Sequence, residues 1–165
     1  MSIVIRSAAA GDLEAINDIY NHYVLHSTCT FQTEPEPIEG RRAWFEKRGP
    51  EHPVTVAEED GAVIGWGSLS VFNTRCAYRT TVEDSVYLRH DLLGRGIGRL
   101  VLSDLIARAE RLGHHCIMAL MAADQPASHA LHARLGFEEV GRLREVGYKF
   151  ERWIDVIYMQ RMLGG

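Results

Sequence analysis

Cysteine is scarce in this chain of 165 residues: Cys29, Cys76 and Cys116 are odd in number and far apart. They form neither a Cys-x-x-Cys pair nor a disulfide framework, which fits a reducing, cytoplasmic setting. No apolar run approaches the roughly 20 residues needed to cross a bilayer. The opening Met-Ser-Ile-Val-Ile-Arg reads as a strand, too short and polar for a signal peptide. A surplus of basic charge is also lacking, since 18 Lys and Arg stand against 22 Asp and Glu. That balance argues against a partner that is nucleic acid or a membrane surface. The clusters Arg41-Arg42 and Glu46-Lys47-Arg48 then read as solvated helix faces. His22 and His26 share one helix face, and His129 and His132 another, but no His-Glu-x-x-His string accompanies them. No metal site is expected.

What remains is the composition of a globular protein, 46% hydrophobic and 24% charged. Its length suits one domain over residues 1–165. Ile3 to Arg6 reads as a strand. Asp12 is a plausible cap for a helix whose apolar positions Leu13, Ile16, Tyr20, Tyr23 and Val24 follow helical spacing. Pro35 and Pro37 break the chain, and a short helix follows near Glu39 to Arg48, with Trp44 and Phe45 inward. Val54–Glu58, then Asp60-Gly61, then Val63–Val71 is a hairpin signal. Val82 to Leu88 is another strand. A helix burying Ile97, Leu100, Val101, Leu105 and Leu112 follows, and Gly113 ends it. Cys116 to Ala122 is apolar throughout, as in a strand buried on both faces. A helix over Pro126 to Leu135 and strands near Glu139–Val146 and Ile154–Met162 complete the chain. This order predicts an α/β fold with a mixed, mostly antiparallel central sheet flanked by helices.

The most informative segment runs from Leu88 to Leu102. Gly94, Gly96 and Gly98 close a strand and open an amphipathic helix. The first amides of a helix lack intrahelical partners and carry the positive end of its dipole. A glycine-rich turn there makes a cradle for phosphate or pyrophosphate, and Arg95 and Arg99 add charge. The spacing fits neither Gly-x-Gly-x-x-Gly, because Arg99 stands where the third glycine belongs, nor a P-loop.

Several further segments carry a resemblance. They are Asn21-His22-Tyr23, Ser27-Thr28 through Phe31-x-Thr33-Glu34-Pro35, Arg75-x-Ala77-Tyr78, and Thr81-Val82-Glu83-x-Ser85-Val86-Tyr87. His132-x-x-Leu135-Gly136-Phe137, Gly147-Tyr148-Lys149 and Trp153-x-Asp155-Val156 follow. With the cradle and the element order, the chain resembles the GCN5-related N-acetyltransferases (GNAT), within them the phosphinothricin and methionine sulfoximine acetyltransferases. It departs at Leu93, where Gln or Arg is usual. It departs again at Gln125, where Asn often stands, and at Asn73, which replaces a lysine of the phosphinothricin group.

The resemblance implies acetyl-CoA as donor and a small-molecule amine as acceptor, attacking the thioester directly in a ternary complex. The pyrophosphate would lie on the amides of Gly94, Arg95, Gly96, Ile97, Gly98 and Arg99. The pantetheine arm would pair with backbone of Val86, Tyr87 and Leu88 as an added strand does, and Gln125 and Ser128 would contact the cofactor from the late helix. Glu83 is the candidate base, with His132 second. Tyr87 or Tyr78 would protonate the departing thiolate. Arg75 would bind a carboxylate or phosphinate-like group through its forked donors, and Phe31 and Tyr78 would shape the pocket. A homodimer is expected from the resemblance and from the aromatic segment around Trp153. Two other readings keep the cofactor: transfer to a polyamine or protein N-terminus, and an acyl-CoA-binding module without turnover.

Overall fold

The computed structural model describes residues 2–164. Seven strands form one sheet in the order β1-β2-β3-β4-β5-β7-β6. These are β1 (Val4–Ser7), β2 (Val54–Glu59), β3 (Ala62–Val71), β4 (Thr81–Leu88), β5 (Cys116–Ala122), β6 (Glu138–Lys149) and β7 (Arg152–Met162). Every pairing is antiparallel except β4 with β5. The hairpin over residues 54–71 and the apolar strand Cys116–Ala122 are where the sequence pattern predicts them.

Helices α1 (Leu13–His26) and α2 (Ile38–Glu46) cover one face of the sheet, and α3 (Ile97–Arg111) covers the other. The faces follow from strand alternation. Trp66, Val54 and Val56 pack with Leu13, Ile16 and Ile19 of α1, whereas Leu69 and Val82 pack with Val101, Leu102 and Leu105 of α3. Gly67 permits the close approach of α3, since a Cβ there would lie 2.6 Å from Val101 Cγ1 and 2.9 Å from Leu105 Cδ1. Helix α4 (Pro126–Arg134) follows β5 and carries Pro126 in its first turn, where no amide partner is needed.

Three local expectations are corrected. Asp12 does not receive the amides of α1 as a cap. Its carboxylate instead reaches back to the Ala9 N–H at 2.8 Å and accepts Arg6 at 2.7 and 2.9 Å. Leu100 and Leu112 of α3 are 44% and 40% exposed, and Leu102, Ile106 and Ala109 take the buried positions. The stripe that meets the sheet is thus rotated from the one predicted. The cluster of basic residues on α2 is not uniformly solvated, because Arg41 is buried and Arg48 half-buried. Arg48 donates to the carbonyls of His52 and Leu69 and to Ser70 Oγ.

Candidate active site

The sheet opens between β4 and β5. Their parallel pairing covers only Thr81, Val82 and Glu83 against Cys116, Ile117 and Met118. Beyond Glu83, β4 keeps only β3 as a neighbour. Arg89 N–H donates to Ile64 O at 2.9 Å, and antiparallel alternation then turns the backbone groups of Tyr87 and Ser85 toward β3. Those of Val86 and Leu88 point the other way, into the opening. The Leu88 carbonyl accepts the Tyr23 hydroxyl at 2.6 Å, whose pKa burial pushes up to about 12. Val86 N–H and C=O and Leu88 N–H are left facing the gap. Tyr87, expected to offer its backbone to a ligand, spends it on β3, and its ring packs among Tyr20, Tyr23 and Trp66.

The glycine turn sits where this opening ends. Gly94 and Gly96 both hold φ near +80°, the left-handed region that glycine enters without strain, and open space lies where a Cβ would be. Gly96 precedes α3 with no side-chain cap and no acidic residue in the first turn. The first α3 bond runs from Leu100 N–H to Gly96 O at 3.3 Å, so the preceding amides are free for an anion. Arg99 projects from the first turn and makes no ion pair among the described residues. Arg95 is different: its guanidinium grips Glu59 at 2.7 and 3.0 Å. Only its backbone amide belongs to the cradle.

Glu83 and His132 are not brought together. Glu83 pairs with Ser70 of β3, Ser85 with Ser68, and Tyr87 with Trp66, so these side chains share the face under α1 and α2. Asp84 points to the other face and meets His132 of α4, Oδ2 to Nε2 at 2.7 Å, with both side chains buried. The second ring nitrogen, Nδ1, donates to Ser128 O at 2.8 Å. Burial alone would lower the His132 pKa, but the charge and hydrogen bond of Asp84, with the Ser128 carbonyl, raise it. Both ring nitrogens thus face acceptors, Asp84 Oδ2 and Ser128 O, and neither is turned toward the face that carries Glu83. The structure pairs His132 with Asp84, not with Glu83. Glu83 has the opposite setting: burial, then the adjacent charge of Asp84, raise its pKa, as a proton acceptor working near neutrality requires.

The cavity beside Glu83 has a volume of about 240 Å³. Its floor is Trp66, Ser68 and Ser70 of β3 with Ser85 and Tyr87 of β4, and its roof includes Tyr20, Arg41 and Trp44. The expected acceptor residues lie outside it. Arg75 and Tyr78 are exposed in the turn before β4, and Tyr78 packs edge-on against Phe72 at 6.1 Å. Phe31 stacks over Gly147 of β6, where a Cβ would sit 2.7 Å from its ring. Gln125 does not turn to the cofactor side. Its Nε2 donates to Thr28 Oγ1 at 2.8 Å, and Cys29 Sγ donates to its Oε1 at 3.2 Å. Ser128 contributes the carbonyl that holds His132. Sequence reasoning gave no individual role to Asp84 or Lys149 and read Arg41 as solvated. Lys149 is buried, and its ammonium donates to the carbonyls of Ser27 and Thr30 at 2.7 and 2.8 Å, closing the C-terminal end of α1. Among the described residues, no group of three or more His, Cys, Asp or Glu is arranged to hold a metal ion.

The model of the acetyltransferase (GNAT) family matches residues 16–137. The chain belongs to that family. It is 40% identical to the L-methionine sulfoximine/L-methionine sulfone acetyltransferase of Salmonella typhimurium, over 98% of this chain and 95% of the relative. It is also 40% identical to the L-amino acid N-acyltransferase MnaT of Escherichia coli, over 96% and 93%. The GNAT phosphinothricin acetyltransferase of Sinorhizobium meliloti, crystallised in complex with acetyl-CoA, superimposes with a TM-score of 0.96 at 40% identity, covering 99% of this chain and 90% of that one. The mixed sheet expected from the element order is the family's fold.

Proposed function

We propose that this GNAT protein transfers the acetyl group of acetyl-CoA to the primary amine of a small amino acid or analogue, of the methionine sulfone, methionine sulfoximine or phosphinothricin type. The observation that carries the reading is near-full-length similarity at 40% identity to an enzyme of that name, on a chain whose β4 edge opens beside a partly buried carboxylate. The fit to the donor is read from the residues themselves. Val86 and Leu88 offer free backbone groups for a pantetheine arm, and the turn over residues 94–99 offers free amides for a pyrophosphate. Acetyl-CoA, when bound, supplies the activated acyl carbon.

The chain supplies the rest. Glu83 takes the proton from the incoming ammonium, directly or through water, and burial, which raises its pKa, makes its carboxylate a stronger base than an exposed one. Tyr87, its pKa raised chiefly by burial, stays protonated as a donor near the same face. Asp84 and His132 fix α4 against β4 on the far side and act as positioning residues. The protein works as one domain, in the cytoplasm, where Cys29, Cys76 and Cys116 remain free thiols. It pairs as a homodimer through the apolar surface of β6 and β7. Thiol release with acetyl-CoA and a panel of methionine sulfone, methionine sulfoximine, phosphinothricin, a polyamine and a short peptide tests the reading. Release with the amino-acid analogues supports it. Release only with the polyamine or peptide, or with none of them, overturns it.

A further inference from the structure

Arg41 is the one charged side chain of α2 that the fold turns fully inward, 5% exposed. Its Nε donates to Asn17 Oδ1 at 3.1 Å, and Asn17 is itself held by its Nδ2 on Glu36 O at 2.8 Å. The two terminal nitrogens carry four more N–H donors, and the described hydrogen bonds give them no acceptor. The charge meets ring faces instead, with Cζ 4.6 Å from the ring centroids of Tyr20 and Trp44 and 5.5 Å from that of Trp66. Aromatic faces compensate part of a buried charge but accept no directed hydrogen bonds. No carboxylate lies within ion-pair distance of Arg41 among the described residues. Glu36, in the same cavity wall, accepts Gln32 Nε2 at 3.1 Å instead. These spare donors border the cavity beside Glu83, where an acceptor on a bound molecule can complete them.

The position along the strand says which part of an acceptor could reach it. Ser85 lies one step from Glu83 on the same face, and the Trp66–Tyr87 row beneath Arg41 is one step further. Each step of two residues is about 7 Å. An amine over Ser85, within reach of Glu83, places the α-carboxylate of the same molecule well short of Arg41. The end of a side chain as long as that of methionine spans the interval. The walls suit such a chain, because Tyr20, Trp44, Trp66 and Tyr87 line its apolar stem. Arg41 and Glu36 together leave the far end without net charge, which suits a dipolar oxo group better than a second full charge.

From this geometry we infer that Arg41 is a specificity-determining residue that hydrogen-bonds the oxo-bearing end of the acceptor side chain, a sulfone or a group of like shape. It rests on the acetyltransferase reading above and deepens it. It gives to Arg41 the contact with the oxo-bearing end, whereas the expectation from the sequence gave Arg75 a carboxylate or phosphinate-like group, and Arg75 lies outside this cavity.

The test compares L-methionine sulfone with L-methionine, which differ only in the oxygens on sulfur, as acceptors for the full chain. The quantity read is the ratio of their kcat/KM values in the wild type, Arg41→Met and Arg41→Lys. Wild type is expected to favour the sulfone at least tenfold, since buried donors left without an acceptor reject the analogue lacking it. Arg41→Met is expected to shrink that ratio at least tenfold, with Arg41→Lys between. A purely structural role lowers both substrates together, so an unchanged ratio in Arg41→Met overturns the inference. If Arg41→Met does not fold, the ratio in Arg41→Lys decides in the same way. A wild type that acetylates none of the amino-acid analogues overturns the parent reading and this one together, whereas wild-type activity without a sulfone preference, or with phosphinothricin alone, overturns this one alone.

Discussion

Glu83 and Asp84 are neighbours in the chain and point to opposite faces of β4, one to the face that carries Ser85 and Tyr87 of the cavity floor and the other into a buried pair with His132. Two adjacent carboxylates thereby receive different tasks. Asp84 holds His132, and its charge, after burial, contributes to raising the pKa of Glu83. Replacing Glu83 by Gln is expected to lower kcat about 10²- to 10⁴-fold, the usual worth of a positioned base. The acid limb of the wild-type kcat/KM profile should lie above the ordinary carboxyl value of 4.5 and disappear in Glu83→Gln. An acid limb that survives the substitution assigns the base elsewhere.

The Asp84–His132 pair has its own signature in stability. The folded pKa of His132 is raised above its ordinary 6.5, so the pair's contribution is fully present below pH 6.5. That contribution is lost as pH rises through the folded value. Asp84→Asn removes the charge and leaves a buried imidazole with desolvation uncompensated. A loss of roughly 3–5 kcal/mol is expected for breaking such a pair, greatest in mildly acid buffer and shrinking as pH rises. Denaturant unfolding of both proteins from pH 5.5 to 9 reads the difference. A gap between them that widens toward alkaline pH contradicts a raised His132 pKa.

The cradle over residues 94–99 separates backbone from side-chain recognition. Gly96 holds φ at +80° with free space around it, so Ala there meets no clash but a strain of about 1–2 kcal/mol. Calorimetry with coenzyme A is expected to show roughly five- to thirtyfold weaker binding for Gly96→Ala. Arg95→Ala should change the dissociation constant by less than about twofold, because the Arg95 guanidinium is committed to Glu59. A large loss in Arg95→Ala would mean that the side chain leaves Glu59 for the phosphates.

The strands, helices and glycine turn were legible because they rest on short-range signals: alternation in β3 and β4, helical spacing in α3, and glycines in the left-handed region. The separation of Glu83 from His132 was only half legible. Period-two alternation already puts Glu83 and Asp84 on opposite faces, but the partner of His132 depends on where α4 lands, 48 residues away from Asp84. Arg41 was misread because an arginine beside another arginine on a short helix most often faces water. Its burial is decided by the aromatic side chains of α1 and β3 that close around it. Lys149 escaped notice for the same reason, since its partners are carbonyls at the end of α1, which carry no signature in the sequence.

Strand β6 ends the sheet, so one of its backbone edges has no neighbouring strand among the described residues. Around it Val140, Val146, Tyr148, Phe150 and Trp153 are all at least half exposed, Trp153 at 63%. Tyr148 and Trp153 face one another across the β6–β7 pair with ring centroids 4.8 Å apart, a rigid aromatic plate open to solvent. An apolar group of this kind at a free edge invites either a specific partner or aggregation. The homodimer proposed above would cover it through a closed, self-complementary contact. Light scattering at micromolar concentration is expected to give twice the 18.6 kDa chain mass. Trp153→Asp should shift the protein to the monomer with its far-ultraviolet dichroism unchanged, because that side chain lies outside the core. A wild-type monomer at these concentrations, or a Trp153→Asp dimer, overturns the assignment of this surface.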